Sequence, residues 1–552
     1  MFQLIVVVSL ALVDGGTGGD VEGVTAAASD APVLDAGLLS ATPSPEVEKR
    51  DGKPEFVKGE LSVYLGSDRL TVKNTRIGVS AGVDRFEDAY YALIEPLVDL
   101  RFLDGALAFG VGVPLRLELV NFANNPTTGQ PYLIERIGRF RIEDYDSVHD
   151  FGRVLKYVTY GRKEDPVYVS AGQRYASSIG HGAITRRYSP SIDIDYPRAS
   201  AQVDMYNDYA GFELMTNDLL EWNQLSGLAF IKPLSFFKPK NLLARTFSIG
   251  VTGGLDWKAP WALATQQGAR VTAANRLAVA SLKPARLIGV DAEVKVVKTD
   301  AVDIKPYADY SMLLDGDGGF TGGVLGRFNV GEKTVHAFRV VAEARFLGNR
   351  YAPSYFDTFY EIDRMAYLNQ DFRASPSDPT ALYVPKHQYV LEHGLGQRFG
   401  YYLEASWGIR NALGLTLAFE GTSNSPAKNF VAHLEVPVLS FFQLFGSYYL
   451  RGVENISELG AADASGVIGL FGLKSIMFAG ARLRVLPFLF INGRVYKTFR
   501  VNAVLERYDN QFGFSVDLEI GYEFRKADPP PPPPDEQPTP AQGSAMSAGA
   551  MR

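Results

Sequence analysis

The 552-residue chain contains no cysteine, so disulfide bonds cannot hold its fold together. Small secreted domains often rely on such bonds, whereas a large closed sheet does not need them, because it has no free edge. The chain also lacks any run of about 20 apolar residues, which is the length that a membrane-spanning helix requires. Its net charge of -7 leaves no excess of positive charge, and we therefore expect no nucleic-acid partner.

The two ends of the chain differ in composition from its centre. Residues 1–28 contain the apolar segment Phe2–Val13 followed by Ala26–Ala28, and this pattern predicts a secretory signal peptide. Residues 29–55 are rich in Ala, Pro, Ser and acidic side chains without strand periodicity, which predicts a disordered linker. Residues 526–552 contain six consecutive prolines and predict an extended periplasmic tail, either a spacer or a docking peptide for a periplasmic partner.

The centre of the chain alternates apolar and polar side chains. The clearest stretch places seven apolar side chains at every second position: Leu107, Phe109, Val111, Val113, Leu115, Leu117 and Leu119. The positions between them are small or charged, among them Gly110, Arg116 and Glu118. Such a strand exceeds the roughly 5–6 residues typical of soluble proteins and matches the roughly 9–11 residues that cross a bilayer at a tilt. The stretch therefore predicts a strand with one lipid-facing side and one inward-facing side.

The same alternation recurs over residues 56–525. It is clear at Leu61–Leu65, Ile77–Val83, Ile288–Val296, Phe338–Phe346 and Phe399–Ile409. Tight joins alternate with long ones near 257–284, 348–397 and 453–468, as outer-membrane barrels require. The pattern predicts an all-β fold, namely a transmembrane antiparallel up-and-down β-barrel of about 16–20 strands with a few short helices in its loops.

One segment does not fit this alternation of joins. Residues 121–166 form a long connection, yet counting strands from Leu61 places them on the side of the short turns. Within them, Val148, Phe151 and Leu155 have helical spacing. Either one strand is miscounted, or a helix lies at the periplasmic mouth or inside the lumen.

The last alternating stretch ends in an aromatic residue. Its apolar face comprises Phe514, Val516, Leu518, Ile520, Tyr522 and Phe524. This strand resembles the C-terminal signal of Gram-negative outer-membrane β-barrel proteins, among them porins. The resemblance implies a location in the cell outer membrane, contact with its lipid, and recognition of Tyr522 and Phe524 by the barrel-assembly machinery. Ser178–Gly182 and Ile192–Tyr196 are similar to segments of uncharacterised predicted barrels, and that similarity implies no activity.

The inward-facing positions carry charges of both signs. The candidates for lining the lumen are Arg116, Glu118, Asp291, Glu293, Lys295, Arg339, Glu343, Arg345, Arg482 and Arg484. Rings of one sign would predict an ion-selective filter, whereas mixed signs favour pairing between neighbouring strands. Two interpretations stay open: the charges pair and stiffen the wall, or they form a surface that selects solutes.

The connection at 348–397 is rich in aromatic residues. The candidates for constriction or binding are Tyr351, Tyr355, Phe356, Phe359 and Tyr360, and a short helix is predicted near 357–368. So many rings are expected to pack together rather than extend into water. The loop is therefore predicted either to pack only, or also to constrict the pore or contact a ligand.

Catalytic and metal chemistry have little support in the sequence. His433 and Glu435 share one strand face, and Ser406 also points inward, but nothing completes a set of nucleophile, base and orienting group. Asp315–Gly319 is interpreted as a hairpin turn rather than a calcium loop. We therefore expect no catalytic residues, no metal, no cofactor and no enzymatic activity.

One function and one alternative follow from these observations. The polar or glycine-rich inner face and the large strand number favour a pore or channel for small solutes. The alternative is a non-conducting barrel that acts as a binding or assembly scaffold through the aromatic loop 348–397 and the proline-rich tail.

Overall fold

A computed structural model describes most of the chain between Thr75 and Phe524. The described residues are 75–86, 88–103, 107–124, 130–146, 148–161, 166–174, 176–192, 197–238, 240–264, 277–299, 301–331, 336–367, 384–409, 413–436, 441–455, 457–460, 468–472, 474–502 and 507–524. The predicted signal peptide, linker and tail, and the predicted strand at Leu61–Leu65, lie outside the described residues.

Strands dominate the described part of the chain. The first are β1 Thr75–Phe86, β2 Ala89–Phe102, β3 Leu107–Gly112, β4 Leu115–Asn124, β5 Pro131–Leu133, β6 Leu155–Tyr160, β7 Val167–Gly172, β8 Ser200–Tyr206, β9 Ala210–Thr216, β10 Gln224–Ile231, β11 Ser248–Asp256, β12 Pro260–Leu263 and β13 Val279–Leu282. They are followed by β14 Ala285–Glu293, β15 Val297–Lys298, β16 Val302–Leu313, β17 Gly318–Val330, β18 His336–Leu347, β19 Arg398–Ile409, β20 Leu413–Thr422, β21 Ser425–Val436, β22 Phe442–Val453, β23 Ser475–Leu486, β24 Leu489–Asn502 and β25 Arg507–Phe524.

Helices are few and short. They span Ile142–Asp144, Val148–Arg153, Pro233–Phe236, Leu242–Thr246, Tyr360–Asp363, Lys386–Glu392, Ser457–Gly460 and Gly469–Phe471. None of these described helices has both the length and the apolar character needed to cross a membrane. The helical turn at Tyr360–Asp363 lies within the segment for which the sequence predicts a helix.

Most of the strands form one antiparallel wall. Wall strands that are neighbours in the chain pair with each other, and β1 closes the ring by pairing with both β2 and β25. β3 and β4 both pair with β2 and together make one wall strand. In the same way, β14 and β15 both pair with β16 and together make one wall strand. Counted in this way, the closed wall has 20 strands. The prediction of an all-β up-and-down barrel is confirmed, with a strand number at the upper end of the expected range.

Alternation along each strand gives the wall two chemically different faces. On β1 the side chains of Ile77 and Val79 are exposed on the outside, whereas those of Arg76 and Ser80 are buried inside. A closed barrel leaves no strand edge unpaired, which is the condition under which a sheet can lie in lipid. The exposed apolar belt on a closed wall therefore makes this protein a transmembrane β-barrel.

The two ends of the barrel differ in the length of their connections. Thr75 pairs with Phe524 at one end, and this pairing fixes the direction of every wall strand. Connections at that end are mostly short, such as residues 207–209 between β8 and β9. The long connections 173–199, 257–284 and 348–397 all lie at the opposite end.

The segment that did not fit the predicted alternation lies at the end with the long connections. β4 runs to Asn124 away from the end at which Thr75 lies, and β6 returns beside β3 with Leu107 opposite Tyr160. The described residues between these strands therefore belong with the other long connections. The strand count that misplaced them began at Leu61, whereas the described wall closes through Thr75–Phe86.

Candidate functional site in the lumen

In two of the long connections, the residues that the structure describes fold back into the barrel. We call the described residues of 173–199 the first inner loop and those of 348–397 the second inner loop. They are joined by backbone hydrogen bonds, in which the Arg186 N–H donates to the Phe356 carbonyl and the Phe356 N–H donates to the Ile184 carbonyl, each at 3.0 Å. The Gly180 N–H of the first loop also donates to Glu213 on the wall at 2.9 Å. The two loops thus form one unit inside the lumen.

The aromatic candidates of the second inner loop are all buried: Tyr351, Tyr355, Phe356, Phe359 and Tyr360. The Phe356 and Tyr360 rings meet edge to face with their centres 4.7 Å apart. The Tyr360 hydroxyl donates to Asp256 on β11 at 2.8 Å, and burial raises the pKa of the Tyr351 hydroxyl to about 12. The rings pack inside the barrel and their polar ends bond to neighbouring groups.

Charged side chains attach the first inner loop to the wall. Arg186 lies 2.5 Å from Glu343 on β18, and its guanidinium stacks 4.1 Å from the centre of the Tyr402 ring. Arg345 also bonds to Glu343, at 2.6 Å. Two of the predicted lumen residues, Glu343 and Arg345, therefore pair with each other, and Glu343 also binds Arg186, which the sequence did not single out.

A second attachment lies beside the first. Arg187 of the first inner loop pairs with Glu404 on β19, and the same carboxylate binds Arg339 on β18. Arg339 is a predicted lumen residue, whereas Arg187 and Glu404 are not. No sequence pattern links these three positions, because two lie on wall strands and the third on a loop without periodicity.

On another part of the wall, Arg116 takes part in a cluster of buried charges. It pairs with Asp84 on β1 at 2.7 Å and with Asp144 at 2.8 Å. Arg141 and Arg153 bind the same Asp144 carboxylate. Burial would raise the pKa of Asp144, but the three guanidiniums together hold it well below its usual range.

The remaining lining candidates are distributed around the wall. Arg482 is buried and pairs with Glu519 on β25 at 3.0 Å. Arg484 lies near the end of β23 and donates to a backbone carbonyl at 3.3 Å, whereas Glu118 is buried on β4. Lys295 is partly exposed and binds an aspartate on β16 at 2.7 Å. The structure therefore separates the ten candidates into several local groups rather than one ring.

A tight turn carries His181 in the first inner loop. The flanking residues Gly180 and Gly182 have φ angles of 56° and 85°, in the left-handed region that glycine adopts most readily. The Ser354 hydroxyl donates to the Gly182 carbonyl at 2.9 Å and so ties this turn to the second inner loop. The turn holds the imidazole against β14 and β16.

The predicted lumen residues Asp291 and Glu293 meet this histidine. His181 Nε2 lies 2.8 Å from Glu293, and its Nδ1 lies 3.2 Å from Asp309 on β16. Lys305 pairs with Glu293, and Asp291 lies beside Asp309. Burial would lower the pKa of His181, but its hydrogen bonds to the two carboxylates raise it to about 9. Sequence reasoning missed this cluster, because His181 is 110 or more residues distant from its partners in the chain.

The histidine considered for catalysis has other partners. His433 Nδ1 lies 2.8 Å from the Ser447 hydroxyl, and the Tyr449 hydroxyl lies 3.2 Å from Nε2. Ser406 instead accepts a hydrogen bond from Thr416 at 2.9 Å. The structure does not bring His433 and Ser406 into contact as a base and a nucleophile.

The two residues of the predicted assembly signal lie on the outer face of β25. Tyr522 and Phe524 are exposed, and their rings meet edge to face with centres 5.1 Å apart. They lie at the end of the wall where β25 pairs with β1, opposite Ile77 and Thr75. Both rings are therefore available to lipid or to a partner at this end of the barrel.

Comparisons with known proteins find similarity in fold alone. No family model and no curated protein matches the chain. Among solved structures, the siderophore receptor PirA of Acinetobacter baumannii shares 8% identity, with 82% of this chain and 81% of that one covered, at a TM-score of 0.31. The outer-membrane protein Wzi of Escherichia coli, described as a carbohydrate-binding β-barrel, shares 11% identity, with coverage of 83% and 86%, at a TM-score of 0.29.

OpdL of Pseudomonas aeruginosa shares 9% identity with this chain, with 82% of this chain and 98% of that one covered, at a TM-score of 0.27. Similarities at this level carry no argument about ligand or activity. The location of the protein in a membrane is inferred instead from its own structure, because its wall is closed and its outer belt is apolar. The chain is an outer-membrane β-barrel.

Proposed function

We propose that this protein is an outer-membrane channel for small polar solutes, with a lumen narrowed by the two inner loops. The supporting observation is that several charged side chains on the inner face keep partial contact with solvent. Glu293, Glu420 and Arg494 are each between a fifth and about a quarter exposed, although they point into the barrel. Water that reaches these side chains provides a polar environment for a solute inside the lumen.

The strand number supports the same proposal. Barrels of about 16–18 strands leave an aqueous channel, so a wall of 20 strands encloses more space than its own side chains fill. The inner loops occupy part of this space and reduce the bore. Because the lining pairs opposite charges, we expect selection by size and polarity more than by the sign of the solute.

The scaffold alternative is weakened by the placement of the aromatic residues. Tyr351, Tyr355, Phe356, Phe359 and Tyr360 are buried within the barrel and are not presented to a partner outside it. The tail that would dock a periplasmic partner lies outside the described residues, and its role stays a prediction. We also propose that the assembly machinery recognises Tyr522 and Phe524, which are exposed on the last strand.

Conductance of the purified, refolded protein in planar lipid bilayers tests the channel. We expect discrete steps from the natural protein and larger steps when residues 351–395 are replaced by a short Gly-Ser linker, because the bore widens. Arg286→Ala is the control, since this arginine forms an exposed ion pair with Asp315. Silence from both the natural and the loop-deleted barrels, each folded by heat-modifiable migration in a gel, would contradict a channel and favour a scaffold.

A further inference from the structure

We propose that His181, Asp291 and Asp309 bind a divalent first-row transition-metal ion such as Zn²⁺, which joins the first inner loop to the barrel wall. The inference goes beyond the channel, because the channel proposal uses none of these three side chains. One imidazole nitrogen and one oxygen from each carboxylate all lie within 4.8 Å of one another.

The two aspartates form an unusual pair on the wall. Asp291 on β14 lies directly opposite Asp309 on β16 in the antiparallel register, and both side chains are buried on the inner face. Like charges directly opposite each other on neighbouring strands destabilise a sheet. A cation between the two carboxylates removes this repulsion, and no lysine or arginine among the described residues forms an ion pair with either one.

The ligand atoms can reach a metal with small movements. Around a tetrahedral Zn²⁺ with bonds of about 2.0–2.1 Å, ligand atoms lie roughly 3.3 Å apart. His181 Nδ1 and Asp309 Oδ1 are already 3.2 Å apart. Asp309 is 6% exposed, and its Oδ2 has no hydrogen-bond partner in the described part of the chain. The hydrogen bond that Asp291 accepts from Thr252 is long, at 3.4 Å, and the carboxylate can therefore turn toward the site.

The groups around the histidine match those that support a metal ligand. With Nδ1 facing the aspartates, the opposite ring nitrogen lies 2.8 Å from Glu293 and can donate its proton to that carboxylate. A carboxylate in this position fixes the tautomer and raises the basicity of a metal-binding imidazole. The charges also balance: a neutral His181, three carboxylates, the ammonium of Lys305 and a divalent ion sum to zero.

The donor types indicate which ions fit. One imidazole nitrogen with two carboxylate oxygens suits Zn²⁺ and its first-row neighbours, with water completing the shell. Ca²⁺ requires about 6–8 oxygen ligands, more than this site provides. The competing arrangement is a protonated His181 that neutralises the aspartates by itself without any metal.

Zinc binding to the full-length folded protein separates these two arrangements. The chelator-treated barrel is equilibrated with Zn²⁺, and bound metal is measured by mass spectrometry over a range of free Zn²⁺ concentrations. We expect one ion per chain, and at least about tenfold weaker binding for Asp309→Asn and Asp291→Asn, because each loses a charged ligand. Substitution with Co²⁺ should give the visible absorption of a four-coordinate site, which the two variants lack.

Asp303→Asn is the matched control. Asp303 is also a buried, inward-facing aspartate on β16, but it pairs with Lys295 at 2.7 Å, and its replacement should leave zinc binding unchanged. His181→Gln provides a further variant should an aspartate replacement fail to fold. No stoichiometric zinc on the natural protein, or equal zinc affinity in the natural protein and the folded ligand variants, would overturn the metal site and leave the protonated histidine.

Discussion

Single residues show how far the lumen depends on paired charges. Arg186→Ala should lower the free energy of unfolding by about 3 kcal/mol, because it leaves the buried Glu343 with less compensation. Arg286→Ala removes an exposed ion pair and should change the free energy of unfolding by less than about 1 kcal/mol. Urea unfolding in lipid vesicles, followed by tryptophan fluorescence, measures both. An equal change in the free energy of unfolding in the two variants would show that the buried pair stabilises the barrel no more than the exposed pair.

Another residue-level prediction concerns pH. Burial lowers the pKa of His387 in the second inner loop to about 4, and the nearby cations Lys283 and Arg286 act in the same direction while Asp315 opposes them. The ordinary value is 6.5, so the unfolded loop takes up a proton first. The loop therefore has its full stability above about pH 6.5 and loses it as the pH falls toward 4.

Limited proteolysis measures this loss. Cleavage within the second inner loop should increase between about pH 7 and about pH 5 in the natural protein. His387→Gln cannot take up the proton, and its cleavage should vary much less over that range. A pH response that is identical in the two proteins would place the titrating group elsewhere.

For single residues, the sequence predicts which charges point inward but not which partners they bind. Alternation along a strand predicts which charges point inward, because it depends only on neighbours in the chain. Arg186 and Glu343 are separated by 157 residues, and nothing local relates them. The contact arises only when a loop without periodicity folds back against the wall.

Among the elements, the long alternating strands and the packing of the second inner loop were predictable, and the first inner loop was not. The stretch from Leu107 to Leu119 forms β3 and β4, which both pair with β2, and its apolar side chains point outward. The many aromatic rings of the second inner loop predicted that it packs, whereas residues 173–199, which include the first inner loop, have three aromatic residues and four arginines. The position of the first inner loop depends on its contacts with the wall and with the second inner loop, and the local sequence pattern does not encode these contacts.

The turn around His181 supports a prediction about one element. Gly182 has a φ of 85°, and a Cβ there would lie 2.3 Å from Arg186 Nε. Gly182→Ala should therefore strain the turn and displace Arg186, at a cost of about 1–3 kcal/mol. Gly493→Ala is the control, because a Cβ there meets nothing within 4 Å. Urea unfolding midpoints compare the two, and an equal effect would contradict the strained turn.

For the whole molecule, the distribution of polarity decides the environment. Apolar side chains face outward and charged side chains face inward, the reverse of a soluble protein. The sequence predicts this arrangement because each long strand carries both faces. The end of the barrel at which a connection lies depends instead on an exact strand count, and one strand more or fewer reverses every later assignment. The misplaced segment 121–166 is an example: once the count begins at Thr75, its described residues between β4 and β6 lie at the long-connection end.

The orientation of the whole barrel can be tested with single cysteines, because the chain has none of its own. Ser423 lies in the exposed turn between β20 and β21 at the long-connection end, and Asp208 lies in the exposed turn between β8 and β9 at the opposite end. Since long loops face outward in outer-membrane barrels, a membrane-impermeant maleimide should label Ser423→Cys on intact cells. Asp208→Cys should react only after the cells are permeabilised. Labelling of Asp208→Cys alone on intact cells would invert the barrel and place the mouth that leads to the inner loops on the periplasmic side.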